Sequence, residues 1–224
     1  MTRAAAALRW RPEWPVAALV GAAWLIVSAM QVMGSHRLHS SPPLAAWSMM
    51  SLLMMVPVTL PALRHLAFNS FRSRRHRAMA IYLAAYLFAW LLFGAVAINV
   101  VAATTSVGVP VPVIGIVFLL AAAGWQLAPS RQRALRNCRR TVPLPPSGWR
   151  ADAACVRFAM QQALHCMKIC WPVMLLMTII GHQLVAMLAL TALVTAEEQA
   201  PWRERLFAPV AVMFLAAALV MAAV

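Results

Sequence analysis

The sequence predicts an all-α fold: a polytopic membrane helix bundle, with seven transmembrane helices, or six if the sixth does not cross, and no soluble domain. Three observations predict it. The chain is 63% hydrophobic, with 19 basic and 5 acidic residues among 224, and its mean hydropathy is +0.78. Its apolar residues fall in runs of bilayer-spanning length, about 20 residues each. Arginine collects on alternate connections between those runs, as it does on the cytoplasmic side of membrane proteins.

The spans follow in order at 14–33, 44–63, 79–101, 111–127, 156–180, 184–196 and 206–224. The first has basic residues before it but is long for a signal peptide, and no small-x-small cleavage site follows, so it reads as a retained span. Pro57, Pro61 and Pro172 lie inside spans, which membrane helices tolerate when neighbours satisfy the freed carbonyls. The sixth span is short and flanked by Glu197 and Glu198.

Arginine orients the bundle. Loops 64–78, 128–152 and 197–205 carry it, whereas loops 34–43, 102–110 and 181–183 contain only Arg37. This places the amino terminus in the cytoplasm and the carboxyl terminus in the periplasm of a bacterial inner membrane. The net charge of +14 is thereby explained by topology and by anionic lipid headgroups rather than by nucleic acid. Nucleotide-binding loops, Ser-His-Asp order, zinc-binding H-E-x-x-H and paired carboxylates are absent, so the chain reads as a non-enzyme.

The chemistry-bearing residues are sulfur. Met50 and Met54 share a face of the second span, with Trp47 one turn away. Cys166, Cys170, Met174 and Met177 form a stripe along the fifth span. At 1.5 Å per residue, Met54 and Cys166 each lie roughly 14–15 Å from the cytoplasmic ends of their spans. Facing each other, thioethers and thiolates at matched depth would select Cu(I) over harder ions. The expected metal ligands are therefore Met50, Met54, Cys166 and Cys170, shielded by Trp47 and Trp171. The competing explanation is that both stripes are packing surface.

Pro172 has no N–H, so the Lys168 carbonyl lacks its helical partner and is available to water or to a metal. Lys168 itself falls about 200° round the helix from Cys166, beside His165. Near mid-bilayer a charged lysine costs about 2.5–3.5 kcal/mol, which leaves a neutral amine, a wet cavity or a partner subunit's carboxylate as the alternatives. His36, His39 and His182 stand at the external mouth, where imidazoles could receive a metal ion.

These segments resemble a bacterial family of unknown function described as predicted metal-binding integral membrane proteins. Its W-x-x-M-M-x-x-M-M-x-P stretch is matched by Trp47, Met50, Met54, Met55 and Pro57, with Ser51 in place of the second methionine. Its Y-Q-x-x-P-x-K-x-x-C-L-x-x-C-R stretch is matched by Gln126, Pro129, Arg131, Leu135, Cys138 and Arg139, with Ala134 in place of the first cysteine. Its C-x-G-C-C-W stretch is matched by Cys166, Cys170 and Trp171, with Lys168 and Ile169 substituted. The later E-x-x-x-P-W pattern is present as Glu197, Pro201 and Trp202.

The resemblance runs from Ala45 to the carboxyl end. It implies a multi-spanning fold and copper handling, as acceptor, deliverer or conduit, with a copper-requiring protein or other membrane subunits as partners. The substitutions imply weakened metal binding. The alternative is a non-catalytic accessory subunit of a larger membrane complex. A thiol oxidoreductase is disfavoured, because cysteines four apart on a helix lie about 6 Å apart at Cα and no charged relay accompanies them.

Overall fold

The computed structural model describes residues 11–32, 43–138, 142–145, 147–180, 183–199 and 203–223. Among them are eight α-helices: α1 (Trp14–Val32), α2 (Pro43–Asn69), α3 (Arg75–Ser106), α4 (Val111–Leu127), α5 (Pro129–Cys138), α6 (Trp149–Ile180), α7 (Leu184–Gln199) and α8 (Phe207–Ala223). A 3-10 turn, Arg203–Leu206, precedes α8. Four helical segments are long and apolar enough to cross a membrane, or five if the bent α4–α5 pair forms one span.

Local chemistry sets the helix ends. α2 opens on Pro43, whose fixed φ suits a first helical position. α3 closes at Gly108, which has φ 85° and donates its N–H to the Thr105 carbonyl at 3.0 Å; a left-handed backbone there favours glycine. α4 stops at Ala128, held extended with ψ 131°, because the residue before a proline is pushed out of the helical region. Pro129 then starts α5, whose axis departs from that of α4 by 69°.

Both long helices with internal proline, Pro57 and Pro61 in α2 and Pro172 in α6, stay continuous, and the same device repairs one break in each. Pro57 removes the N–H that would bond the Leu53 carbonyl; the Trp24 indole of α1 donates to that oxygen at 3.1 Å. Pro172 likewise orphans the Lys168 carbonyl, and the Trp125 indole of α4 donates to it at 2.7 Å.

α3 packs along both α2 and α6, α4 along α6 and α8, α7 against α2, and α5 against α6. Two glycines mark the closest approaches. A Cβ on Gly94 of α3 would run into the Trp47 indole, and one on Gly115 of α4 would sit 2.9 Å from the Met221 sulfur of α8. Trp47 is seated by its N–H, which donates to the Trp90 carbonyl at 2.9 Å.

The arginine-bearing ends of α3 and α6 meet. Asp152 at the start of α6 pairs with Arg74 and with Arg77, the latter at 2.8 Å. His65 of α2 approaches the Val142 carbonyl at 3.1 Å. The segments around residues 65–77 and 142–152 therefore share one end of the bundle. The carboxylates at the end of α7 differ from the sequence expectation. Instead of opening a loop at 197, the helix continues to Gln199, and Glu197 and Glu198 are buried at 1% and 6% exposure.

Candidate metal centre

The centre is built on the inner face of α6. Cys155, Ala159, Ala163, Cys166, Cys170 and Met177 are buried at helical spacing, as are Val173 and Met174 between them. Residues four apart on a helix stand about 5–6 Å apart at Cβ, so Cys166 and Cys170 present both thiols to one space. The carboxylate that joins them comes from α7. One ligand atom from each of Cys166, Cys170 and Glu198 lies within 4.8 Å of the others, and all three residues are buried.

A thioether completes the group. The Cys166 sulfur is 3.8 Å from the Met55 sulfur and 3.7 Å from a Glu198 carboxylate oxygen. Metal–thiolate bonds are about 2.3 Å long for Zn²⁺, so one ion can bridge sulfurs up to about 4.6 Å apart, close to the spacing found here. All four cysteines are free.

A third thiol faces the same carboxylate. Cys138, at the end of α5, donates to the other Glu198 oxygen at 3.6 Å. Between these groups lies a cavity of about 290 Å³, lined by Thr59, Tyr82, Tyr86, Cys138, Cys166 and Glu198 among others. The buried Tyr82 and Tyr86 hydroxyls have no hydrogen bond of proper geometry among the described residues, although Tyr86 adjoins Cys166. Such orphaned groups beside a cavity of this size are a setting for water or a ligand.

A buried ion pair holds the frame. Arg131 of α5 pairs with Glu197, and the Gln126 side-chain amide of α4 donates to the other Glu197 oxygen. The Arg131 Nε donates to the Ile169 carbonyl at 3.3 Å, and its guanidinium lies over the Phe207 ring at 5.6 Å. One residue pair thus ties α4, α5, α6, α7 and α8 together at the turn between Cys166 and Cys170. Glu198, next to Glu197, is positioned by that knot.

Of the residues singled out from sequence, Cys166 and Cys170 come together. Met50 and Met54 are wholly buried, but the sulfur in described contact with Cys166 is that of Met55. Trp171 packs edge-on against Trp125 at 5.5 Å, and Trp47 sits beneath Gly94. The Lys168 carbonyl is bonded to the Trp125 indole rather than left open for a ligand, because an indole N–H stands within reach. The Lys168 side chain opens away from the thiols, in a separate pocket with His165. His36, His39 and His182 lie outside the described residues.

Sequence reasoning missed Glu198 and Met55. Glu198 had a signal: Met187, Leu190, Val194 and Glu197–Glu198 are spaced as one buried helical stripe. Met55 had one in the matched W-x-x-M-M-x-x-M-M-x-P stretch, but nothing there set it apart from Met54, and Leu53, Met54, Met55 and Val56 are all buried.

A family model described as PpoB2, copper chaperone, matches residues 44–221. No curated protein and no solved structure matches the chain. The matched stretch takes in α2 to α8 nearly whole, and with it Met55, Cys138, Cys166, Cys170 and Glu198. The chain belongs to the PpoB2 copper chaperone family.

Proposed function

We propose that this protein holds Cu(I) between Cys166 and Cys170 inside a membrane helix bundle and hands it to a copper-requiring partner, without catalysing a reaction. One observation carries the reading: two thiols, a thioether and a carboxylate from three helices converge within contact distance in the buried core. Soft sulfur donors favour Cu(I). A carboxylate is a hard donor, so Glu198 serves best beside the metal: it accepts from the Cys166 and Cys138 thiols in the metal-free protein, and the Cys166 proton leaves when the thiolate binds. If it entered the coordination shell, a Cys₂Glu set would suit Zn²⁺ as well, and Met55 tilts the choice to copper.

The placement of Lys168 favours this over the accessory-subunit reading. A charged lysine beside the thiols would oppose a bound cation, but its side chain points to a different pocket from the one that Cys166 lines. The same reading makes the protein a seven-span component of a bacterial inner membrane, with its amino terminus in the cytoplasm and its carboxyl terminus in the periplasm. Apolar length supports four or five of those spans among the described residues, the others rest on the sequence pattern alone, and the arginines gathered through Asp152 at one end support the orientation.

Copper loading of the purified protein in mild detergent tests the function. The expected result is up to about one Cu(I) per chain, with an X-ray absorption spectrum dominated by sulfur, as soft-ligand preference requires. A wild-type protein that takes up no copper, or prefers Zn²⁺ with an oxygen-rich shell, would sink it.

A further inference from the structure

On the opposite side of α6 from the thiols lies a second pocket, of about 340 Å³, walled by α5 and α6. Ser130, Arg133 and Asn137 line it at spacings of three and four, one face of α5. His165 and Lys168 face them from α6, with Trp125 at the end. The lining contains two cationic side chains and no acidic one.

Among the described residues neither cation has an anionic partner. Lys168 makes no ion pair, and Arg133 uses only its Nε, on the Pro129 carbonyl at 3.3 Å. The buried His165 Nδ1 has no hydrogen-bond partner either. Two unpaired cations, an unsatisfied imidazole nitrogen, a hydroxyl and an amide point to an anion with several acceptor oxygens. At roughly 30 Å³ per liquid water, the pocket has room for a phosphate group with attendant waters.

The surroundings select the source of that phosphate. Leu164, one turn before Lys168, and Leu127, between Trp125 and Ser130, are each 54% exposed. The Lys168 carbonyl accepts from Trp125, two residues before the end of α4, so the pocket lies at the end of that helix and not at the mid-bilayer depth that a span of 156–180 implies. Apolar surface next to a cationic cup there fits acyl chains beside a headgroup. Resting on the membrane location proposed above, we infer that this pocket binds the phosphate of an anionic phospholipid. The lipid supplies the negative charge that Lys168 and Arg133 lack, and it braces α5, which carries Arg131 and Cys138, against α6.

Native mass spectrometry of detergent-purified protein, titrated with phosphatidylglycerol or phosphatidylcholine, tests the inference. Wild type should retain phosphatidylglycerol in preference to phosphatidylcholine. Arg133→Gln/Lys168→Met should weaken that retention about thirty-fold, from roughly 1 kcal/mol per basic residue at an anionic lipid surface. Equal retention by wild type and variant overturns the proposal. Displacement of the lipid by inorganic phosphate at matched concentration also overturns it, in favour of a soluble phosphate. So does loss from the variant of a co-purifying protein instead of a lipid, since a protein carboxylate then fills the pocket. Should the double variant fail to fold, Lys168→Gln alone carries the test. Copper affinity, measured on the same samples, should be unchanged, so failure of the lipid site and failure of the copper site are read separately.

Discussion

Met55→Leu separates this arrangement from a generic sulfur-rich core. Leucine and methionine are close in volume, and such swaps cost less than about 1.5 kcal/mol of stability, so the bundle should survive. What is lost is the thioether 3.8 Å from the Cys166 sulfur. Removing a group that supports a metal site typically costs about 10–100-fold in affinity. With both thiolates retained, the lower end applies: about tenfold, or 1.4 kcal/mol. Competition against a chromophoric Cu(I) chelator in detergent measures this directly. Met50→Leu and Met54→Leu have the same chemistry, but no described contact brings their sulfurs to a thiol, so they should bind as wild type. A cycle of Met55→Leu with Cys170→Ser should show coupling of at least about 0.5 kcal/mol, as groups serving one ion do. If Met54→Leu weakens binding and Met55→Leu does not, the contact between the Met55 and Cys166 sulfurs is not the one that serves the ion.

Cys166→Ser/Cys170→Ser should abolish copper binding, whereas Met213→Leu in α8, whose side chain is half exposed at 49%, should leave it unchanged; elemental analysis decides both. Glu197→Gln strands the buried Arg131 charge, and breaking a buried pair costs about 3–5 kcal/mol. Thermal unfolding should show a clear loss of stability, and an unchanged Tm would mean the knot does not hold the frame. Gly94→Ala pushes a methyl into the Trp47 indole, and such overpacking costs about 1–3 kcal/mol, visible as a lower Tm and altered tryptophan fluorescence. Cysteine-accessibility labelling should find positions 75 and 136 on the cytoplasmic side and positions 36 and 182 outside. Labelling of position 75 from outside would reverse the proposed orientation.

Much of the helical layout was legible in the residues. An apolar run of about 20 residues reads as a helix, and each predicted span falls almost wholly on one helix, though α2, α3 and α6 run several residues past theirs. The i, i+4 spacing put Cys166 and Cys170 on one face whatever surrounds them, because that juxtaposition is local to a single helix. The prolines likewise announced orphaned carbonyls at Leu53 and Lys168. Which donor would satisfy them was not readable, since Trp24 and Trp125 come from helices distant in sequence.

Tertiary structure decided the rest. α2 is buried around nearly its whole girth at 53–56, and a helix with no solvent face has no polar–apolar asymmetry to reveal its rotation. Met50, Met54 and Met55 were therefore equivalent as letters, and only the packing of α2 among α3, α6 and α7 turned Met55 toward Cys166. The bend at Ala128–Pro129 is a local effect, but its consequence is not. It brings Arg131 against Glu197 and Cys138 against Glu198, making a buried network from residues that looked like cytoplasmic loop. A carboxylate's burial depends on whether a counter-charge and donors from other helices arrive to compensate its lost hydration, and no stretch of α7 sequence contains that information.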